Sequence, residues 1–355
     1  MAVSIARWYK RERLELTLEF VTPAFLGNWE QKSELRAAPF KALFRYWWRV
    51  VEGHRYETVS DLFKAESALF GSAVEAGQSQ VQITIESQNN QNIEVDALPR
   101  GRRQAGPAHP LAYIGFGRVK PFPLGEDRVL KPVRHEERGG ETTAVPIKAI
   151  NVGARVLVRL SIPSSQRTTL LRVLLAIDQF GTIGGRCSNG WGSLLLRPNH
   201  FSLPAPSEIR EAWRLWTGFF DRTYPSGLAL DEDHCPLWWK LTGSGKDDWV
   251  EPLCELAEIY RQVRKSLPLR SRPDKRHVLG YPVTDHEVPS WESNEWKRHA
   301  SPLRLMVKRV NGTHQGYILH LPYQFGIPHD VPADKDVWSE VHQELDSRMD
   351  RMTLP

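Results

Sequence analysis

Five glycines are interleaved with an arginine, an asparagine and a tryptophan between Gly181 and Ser193 (GTIGGRCSNGWGS). Glycine removes the Cβ that keeps a ligand away from main-chain N–H groups. Arg186 offers a planar fork to phosphate and Trp191 a face to a base, so the chemistry on offer is a non-covalent grip on a nucleic-acid backbone. The segment also reads as a plain turn, with Gly181 ending the apolar helix before it. The segment alone leaves both readings open.

A second set lies at helical spacing. Lys41, Arg45, Trp48 and Arg49 follow one another at steps of four, three and one, a stripe of three cations and an indole. A solvated helix face accounts for the cations; an indole exposed among them is less expected and favours a groove that tracks a phosphate backbone.

Other chemistries fail on spacing. The glycine run lacks the Lys-Ser or Lys-Thr of a P-loop and the order of a GxGxxG fingerprint, and it follows a helix where both fingerprints open one. The histidines form no HExxH, and Cys187, Cys235 and Cys254 form no CxxC, so no metal, cofactor or disulfide framework is expected. No nucleophile elbow or Cys/His protease signature occurs. His54 and Tyr56, just after the basic stripe, have the right chemistry to activate a ribose 2′-hydroxyl; a lone histidine in a polar turn is more often simply solvated.

The elements that must carry these residues follow from periodicity. Arg13 to Phe20 alternates as a half-buried strand, with Leu14, Leu16, Leu18 and Phe20 on one face. Pro39 opens a helix to Val51, whose core stripe is Phe40, Leu43, Phe44, Trp47 and Val51. A short helix over Leu62 to Phe70, a strand over Gln80 to Glu86, a strand over Ala154 to Ile162, a helix over Ser165 to Phe180 and a strand over Trp191 to Arg197 complete a βα(α)ββαβ order. A loose insertion, about 87–150, interrupts it, with a strand expected at Ala112 to Val119. Its stretch 100–138 holds nine Lys or Arg against four acids, interleaved with Tyr113, Phe116 and Phe122. Loops this long tend to be functional or disordered.

Leu203-Pro204-Ala205-Pro206 reads as a linker. Beyond it come a strand at Pro236 to Leu241, a helix at Asp248 to Ser266, a hairpin of Pro302 to Val310 and His314 to Leu321 turning at Asn311-Gly312, and a final helix at Pro332 to Met349. This half repeats the first order with its last strand missing. Its tryptophans, Trp213, Trp216, Trp238, Trp239, Trp249, Trp291 and Trp296, are expected in a core rather than an interface.

The 355 residues suffice for two domains, at 1–200 and 205–355. A net charge of +5 favours an anionic partner. The N-terminus has no apolar stretch of a signal peptide and no long apolar run occurs, so secretion and membrane spanning are not expected and a reducing cytoplasm is the natural setting.

Four stretches in one order carry a resemblance: Leu14 to Phe25 (LELTLEFVTPAF), Leu35 to Arg49 (LRAAPFKALFRYWWR), Glu66 to Ser72 (ESALFGS) and Gly184 to Leu194 (GGRCSNGWGSL), with Arg298 to Leu303 (RHASPL) as a late element. The chain resembles the RAMP superfamily of CRISPR type III systems, and within it the first-numbered subunits of Cmr (type III-B) RNA-targeting effector complexes. That resemblance implies an α+β chain of two ferredoxin-like (RRM-like, βαββαβ) domains, the second partly degenerate. It implies a non-catalytic, antiviral-defence subunit that binds guide RNA near its 3′ end, helps seat target RNA and assembles with other Cmr subunits. It makes Lys41 and Arg45, and Gly184, Gly185, Arg186, Asn189, Gly190 and Trp191, the RNA contacts, beside Trp48 and Arg49 of the stripe. Asn28 departs from the pattern, standing where relatives often carry a second glycine after Thr-Pro. The rivals are a metal-independent endoribonuclease of the same superfamily and a purely structural assembly subunit.

Overall fold

The structure is a computed structural model that describes residues 10–30, 32–74, 77–88, 94–99, 109–124, 127–138, 140–219, 226–269, 274–281, 288, 300–323 and 334–354. The first half opens with β1 (Arg11–Phe20), α1 (Ala37–Glu52), α2 (Val59–Phe70) and β2 (Gln82–Ser87). The insertion holds β3 (Glu94–Val95), α3 (Pro110–Ile114), β4 (Val119–Leu124), β5 (Asp127–Arg138), β6 (Glu141–Pro146) and β7 (Ala149–Ile150). The first half then closes with β8 (Arg155–Pro163), α4 (Arg167–Phe180) and β9 (Leu194–Pro198). The short parallel pair β10 (Arg214–Leu215) and β11 (Ala229–Leu230) leads to β12 (Trp238–Leu241), α5 (Val250–Ser266), β13 (Leu303–Val310), β14 (Thr313–His320), α6 (Asp334–Asp346) and β15 (Met349–Arg351).

Each half builds a four-stranded antiparallel sheet. The first runs β2-β8-β1-β9 and the second β13-β14-β12-β15. In both, the first strand lies between the third and the fourth. A β-α-β-β-α-β chain reaches that order by sending each helix across one face of its sheet. The alternation of β1 explains which face: Leu14, Leu16, Leu18 and Phe20 are buried toward α1 and α4, and the intervening residues point the other way.

Two sequence expectations are corrected. The second half does not lack its last strand. Residues 349–351 pair antiparallel with β12, but three residues are too few to show an alternation. Ala112 to Val119 is not a strand. Pro110 occupies the first turn of α3, His109 Nδ1 accepts from Leu111 N at 3.1 Å as its cap, and the chain turns through Gly115 to Gly117 before β4. The insertion folds into a three-stranded sheet, β4-β5-β6, and a two-stranded one, β3-β7.

The halves share their interior. One core cluster joins α1, α4 and β1 to Trp213, Met306, Tyr317 and Leu319; the other joins α5, β12 and α6 to Val21, Phe25 and Trp191. Trp213, Trp216, Trp239 and Trp249 are buried as expected, whereas Trp291 and Trp296 lie outside the described residues, as do Arg298 and His299. Lys308 of β13 is half-buried and donates through Nζ to the carbonyls of Leu194, at 2.9 Å, and Asp178, pinning the second half to the end of α4. Burial lowers its pKa to about 8.

His320 on β14 and His342 on α6 form a buried pair, Nδ1 to Nε2 2.9 Å, with His320 stacked on Trp338 at 4.0 Å between ring centres. Burial is the main cause of both shifts: His320 is held well below its ordinary pKa, and His342 falls to about 3, aided by Arg351. The unfolded chain takes up these protons below about pH 6.5, while the folded chain resists them. Stability is therefore complete above that pH and is lost as pH falls, at roughly 1.4 kcal/mol per pH unit for each histidine. We expect a urea midpoint that drops between pH 7.5 and 5, and a shallower drop in His320→Phe/His342→Leu. Equal drops would show that the pair does not set the acid limit.

Candidate nucleic-acid interface

The glycine-rich segment leaves α4 and folds back on itself before β9. Ile183 N donates to Gly192 O at 2.9 Å, and Leu194 N to Gly181 O at 3.0 Å. The turn is anchored from both halves. Thr22 Oγ1 donates to Gly190 O at 2.7 Å and accepts from Ser193 N at 2.9 Å; Ser193 Oγ donates to Gly190 O at 2.9 Å and accepts from Val307 N at 3.0 Å. Leu305 N donates to Ser188 O at 2.8 Å, and Asn189 Nδ2 to Ile114 O at 2.8 Å. The hydroxyl, amide and main-chain groups named here satisfy one another, so this side of the segment is a latch between the halves and the insertion.

The glycines serve that latch. Gly184 has φ +98° and a Cβ there would stand 2.9 Å from Phe25 O; Gly190 has φ +87° and a Cβ there would meet Leu253 Cδ1 at 2.5 Å. Gly185 N donates to Phe25 O at 2.9 Å. Three sequence-predicted contacts are therefore placed differently from expectation. Trp191 is fully buried, against Phe25 at 5.0 Å and Trp249 at 6.0 Å, because the second half packs over it. Its face is not open to a base. Asn189 and Gly190 spend their polar groups inside the latch.

Trp48 is corrected in the same way. It is buried between Tyr56 and Phe70, at 5.9 and 6.2 Å, because α2 covers the side of α1 that the sheet leaves free. Arg45 and Arg49 both reach Glu66 Oε1 of α2 at 2.6 Å, and Glu66 is itself buried. This ion-paired trio ties α1 to α2, with each arginine about one-third exposed. Lys41 has no ion pair among the described residues; partial burial and Arg45 lower its pKa. The stripe thus faces α2, whereas the glycine segment faces the insertion and β13. Arg304 links the two regions: it lies over the Tyr46 ring at 4.8 Å and donates to Thr182 Oγ1 at 2.6 Å. His54 is half-buried, its pKa lowered by burial and by Arg214, and Tyr56 is packed on Trp48.

What remains outward is the tip of the segment. Arg186 is exposed at φ +58°, a left-handed conformation that costs a branched-chain-free residue less than most but still favours glycine. The position of Gly117 puts a would-be Cβ 3.5 Å from Arg186 Nη2, and that of Gly185 puts one 3.5 Å from Arg118 Nε. The insertion therefore lays Arg118 and the exposed Phe116 beside the tip. Arg118 O accepts from Val133 N at 2.8 Å, and the next residue, Arg134, donates to Glu30 O in the loop that carries Trp29. Trp29 is 88% exposed. Asn28 holds that loop, its Oδ1 accepting from Glu30 N at 2.9 Å and Lys32 N at 3.1 Å, which accounts for a side chain where a glycine was expected.

Arg186 and Arg118, with the exposed Phe116, stand at the tip, and Trp29 is exposed on the loop that Arg134 ties down; the Arg134 guanidinium is itself taken up by Glu30 O and by an ion pair with Glu136. Sequence reading found only Arg186 among them. The signals were present in Phe116-Gly117-Arg118 within the basic insertion and in a tryptophan flanked by Asn28 and Glu30. Such a surface can hold phosphates and stack unpaired bases. Among the described residues, no group of three or more His, Cys, Asp or Glu side chains is placed to hold a metal, and no helix is long and apolar enough to cross a membrane.

The family model described as RAMP superfamily matches residues 17–195. No curated protein matches the sequence. Among solved structures, apo Cmr1 from Pyrococcus furiosus matches with a TM-score of 0.53 at 18% identity, over 97% of this chain and 98% of that one. A chain of the type III-B Cmr-beta complex bound to cognate target RNA and AMPPnP, in the presence of ssDNA, matches with a TM-score of 0.51 at 11% identity, over 94% and 98%. At these identities both are likenesses of fold.

Proposed function

The chain belongs to the RAMP superfamily, and from that premise we propose that it is an RNA-binding subunit of a CRISPR type III-B (Cmr) effector ribonucleoprotein. In this reading it binds guide RNA near its 3′ end, helps seat target RNA beside other Cmr subunits, and performs no cleavage itself. Its two β-α-β-β-α-β sheets are read as ferredoxin-like domains, at about 1–200 and 205–355. The fold-level likeness to Cmr1 supports the assignment.

The observation that carries the reading is the outward tip of the glycine segment. An exposed arginine is kept at positive φ, where glycine would be easier, beside Arg118 of the insertion, which also carries the exposed Phe116. Strain retained at a surface position points to use of that side chain. The latch beneath it gives the tip a fixed geometry.

Labelled single-stranded RNA should bind at low salt and stay full length, in EDTA or in magnesium. The rival endoribonuclease predicts fragments ending in cyclic phosphate in EDTA, abolished by His54→Ala, and their appearance would overturn the proposal. Absence of binding at low salt would overturn it equally.

A further inference from the structure

The β4–β5 hairpin of the insertion starts beside the tip of the glycine segment. Val133 N donates to Arg118 O, and from there the ladder sets Lys120 opposite Lys131, Phe122 opposite Val129 and Leu124 opposite Asp127. Alternation puts Arg118, Lys120, Phe122 and Leu124 on one face of β4. The other face is the inner one. Its Val119, Leu130 and Pro132 are buried, the first two in the core cluster that holds α3. On the outer face Val133 is buried at the root of the hairpin; Lys120, Lys131, Phe122 and Val129 are half-buried, and Leu124 is exposed.

The facing lysines are the unexpected pair. Two ammonium side chains directly opposite on one face of an antiparallel ladder repel, and such pairs cost stability. Neither has an ion pair with Asp127, Asp96 or Glu136, the acids of the neighbouring segments, and Glu136 is taken by Arg134. Asp127 stands four residues along β5 from Lys131, roughly 13 Å at ordinary strand rise, beyond the screening length of about 8 Å at physiological salt. What the pair lacks is an anion between its two members.

The neighbours on the same face indicate which anion. Arg118, two residues back, already lies beside Arg186, so the lysine pair continues the cations of the tip outward. Phe122, two residues on, offers a ring to a base. A row of guanidinium, paired ammonium groups and ring suits successive phosphates and an unpaired base. An added protein strand suits it less: β4 is an edge of its sheet, and Pro121 and Pro123 remove N–H donors that strand addition would use. We propose that the outer face of this hairpin holds single-stranded RNA leading away from the tip, with one phosphodiester between Lys120 and Lys131 and one base on Phe122. The inference rests on the RNA-binding reading and extends its site.

The test is binding of labelled single-stranded RNA across a salt series. Lys120→Gln/Lys131→Gln should bind about tenfold more weakly, with a slope of log K against log salt shallower by about 0.7, the share of one phosphate contact. Lys120→Arg/Lys131→Arg should restore both. The urea midpoint of the glutamine variant should equal or exceed that of the wild type, because the like-charge contact is relieved. Phe122→Ala should weaken binding at least about fivefold with the slope unchanged. A series of RNA lengths separates hairpin from tip: the shortest oligomer that binds should bind wild type and glutamine variant alike, and added nucleotides should strengthen only the wild type. A glutamine variant equal to an RNA-binding wild type in affinity, slope and gain with length would overturn this proposal and leave the RNA-binding reading standing. A wild type that binds no RNA would overturn both. A glutamate-rich peptide that binds the wild type more tightly than RNA at the same salt, and does so through the two lysines, would assign the pair to an acidic protein and overturn the proposal as well.

Discussion

Gly192→Ala is expected to cost roughly 3 kcal/mol or more of stability, among the largest effects of any single methyl group in this chain. Gly192 has φ +67°, and a Cβ there would lie 1.9 Å from the backbone oxygen of Ile183. That oxygen belongs to the backbone segment that Gly192 itself pairs with, since Ile183 N donates to Gly192 O, so it cannot rotate aside as a side chain would. Opening the turn would also disturb Gly192 N to Pro23 O, at 2.9 Å, and the Thr22–Ser193–Val307 network behind it. Gly153→Ala is the control. Gly153 also has positive φ, +77°, but a Cβ there meets nothing within 4 Å. It should cost only about 1–2 kcal/mol, the conformational part alone. Urea unfolding of both variants separates the two terms, and equal losses would mean that the latch does not depend on this close approach.

The second large effect concerns binding. Arg118→Ala combined with Arg186→Gly is expected to weaken single-stranded RNA roughly 30- to 150-fold, two phosphate contacts at about 1–1.5 kcal/mol each. Glycine is chosen at 186 because it relieves the left-handed backbone, so the fold should hold while affinity falls. Loss of affinity together with gain or retention of stability separates a contact from a structural prop. Trp29→Ala with Phe116→Ala should weaken binding through stacking, at roughly 1–3 kcal/mol per base, without changing the salt dependence.

Much of the scaffold could be read from residue pattern. The alternation of Leu14, Leu16, Leu18 and Phe20, and the helical spacing of Phe40, Leu43, Phe44, Trp47 and Val51, name the core side of β1 and α1 correctly, because local period and burial agree. The same reasoning fails at Trp48. A helix covered by a sheet on one side and by α2 on another buries a wider arc than one stripe, and only tertiary contact with Tyr56 and Phe70 reveals it. Trp191 fails for a related reason. Its partners Phe25 and Trp249 are far away in sequence, so nothing in the glycine segment shows that the second half lies over it.

The candidate site was legible in part. Arg186 was found because its neighbours are unusual in type. Arg118 and Phe116 were missed as individuals because their stretch alternates like a strand, while Pro110 and the His109 cap commit it to a helix and turn. Trp29 had no periodic context at all. The stripe of Lys41, Arg45 and Arg49 was read as open, and Glu66, the buried carboxylate that gathers two of its members, sits on another helix. Spacing can place cations on one face; it does not show what stands opposite.

The most direct measurement is fluorescence anisotropy of labelled single-stranded RNA across a series of salt concentrations, for the wild type and for Arg118→Ala/Arg186→Gly. Each phosphate contact contributes about −0.7 to the slope of log K against log salt. The variant should therefore bind more weakly at every salt concentration, with a slope shallower by roughly 1.4. Wild type and variant curves that coincide in affinity and slope would place the RNA elsewhere and contradict the account.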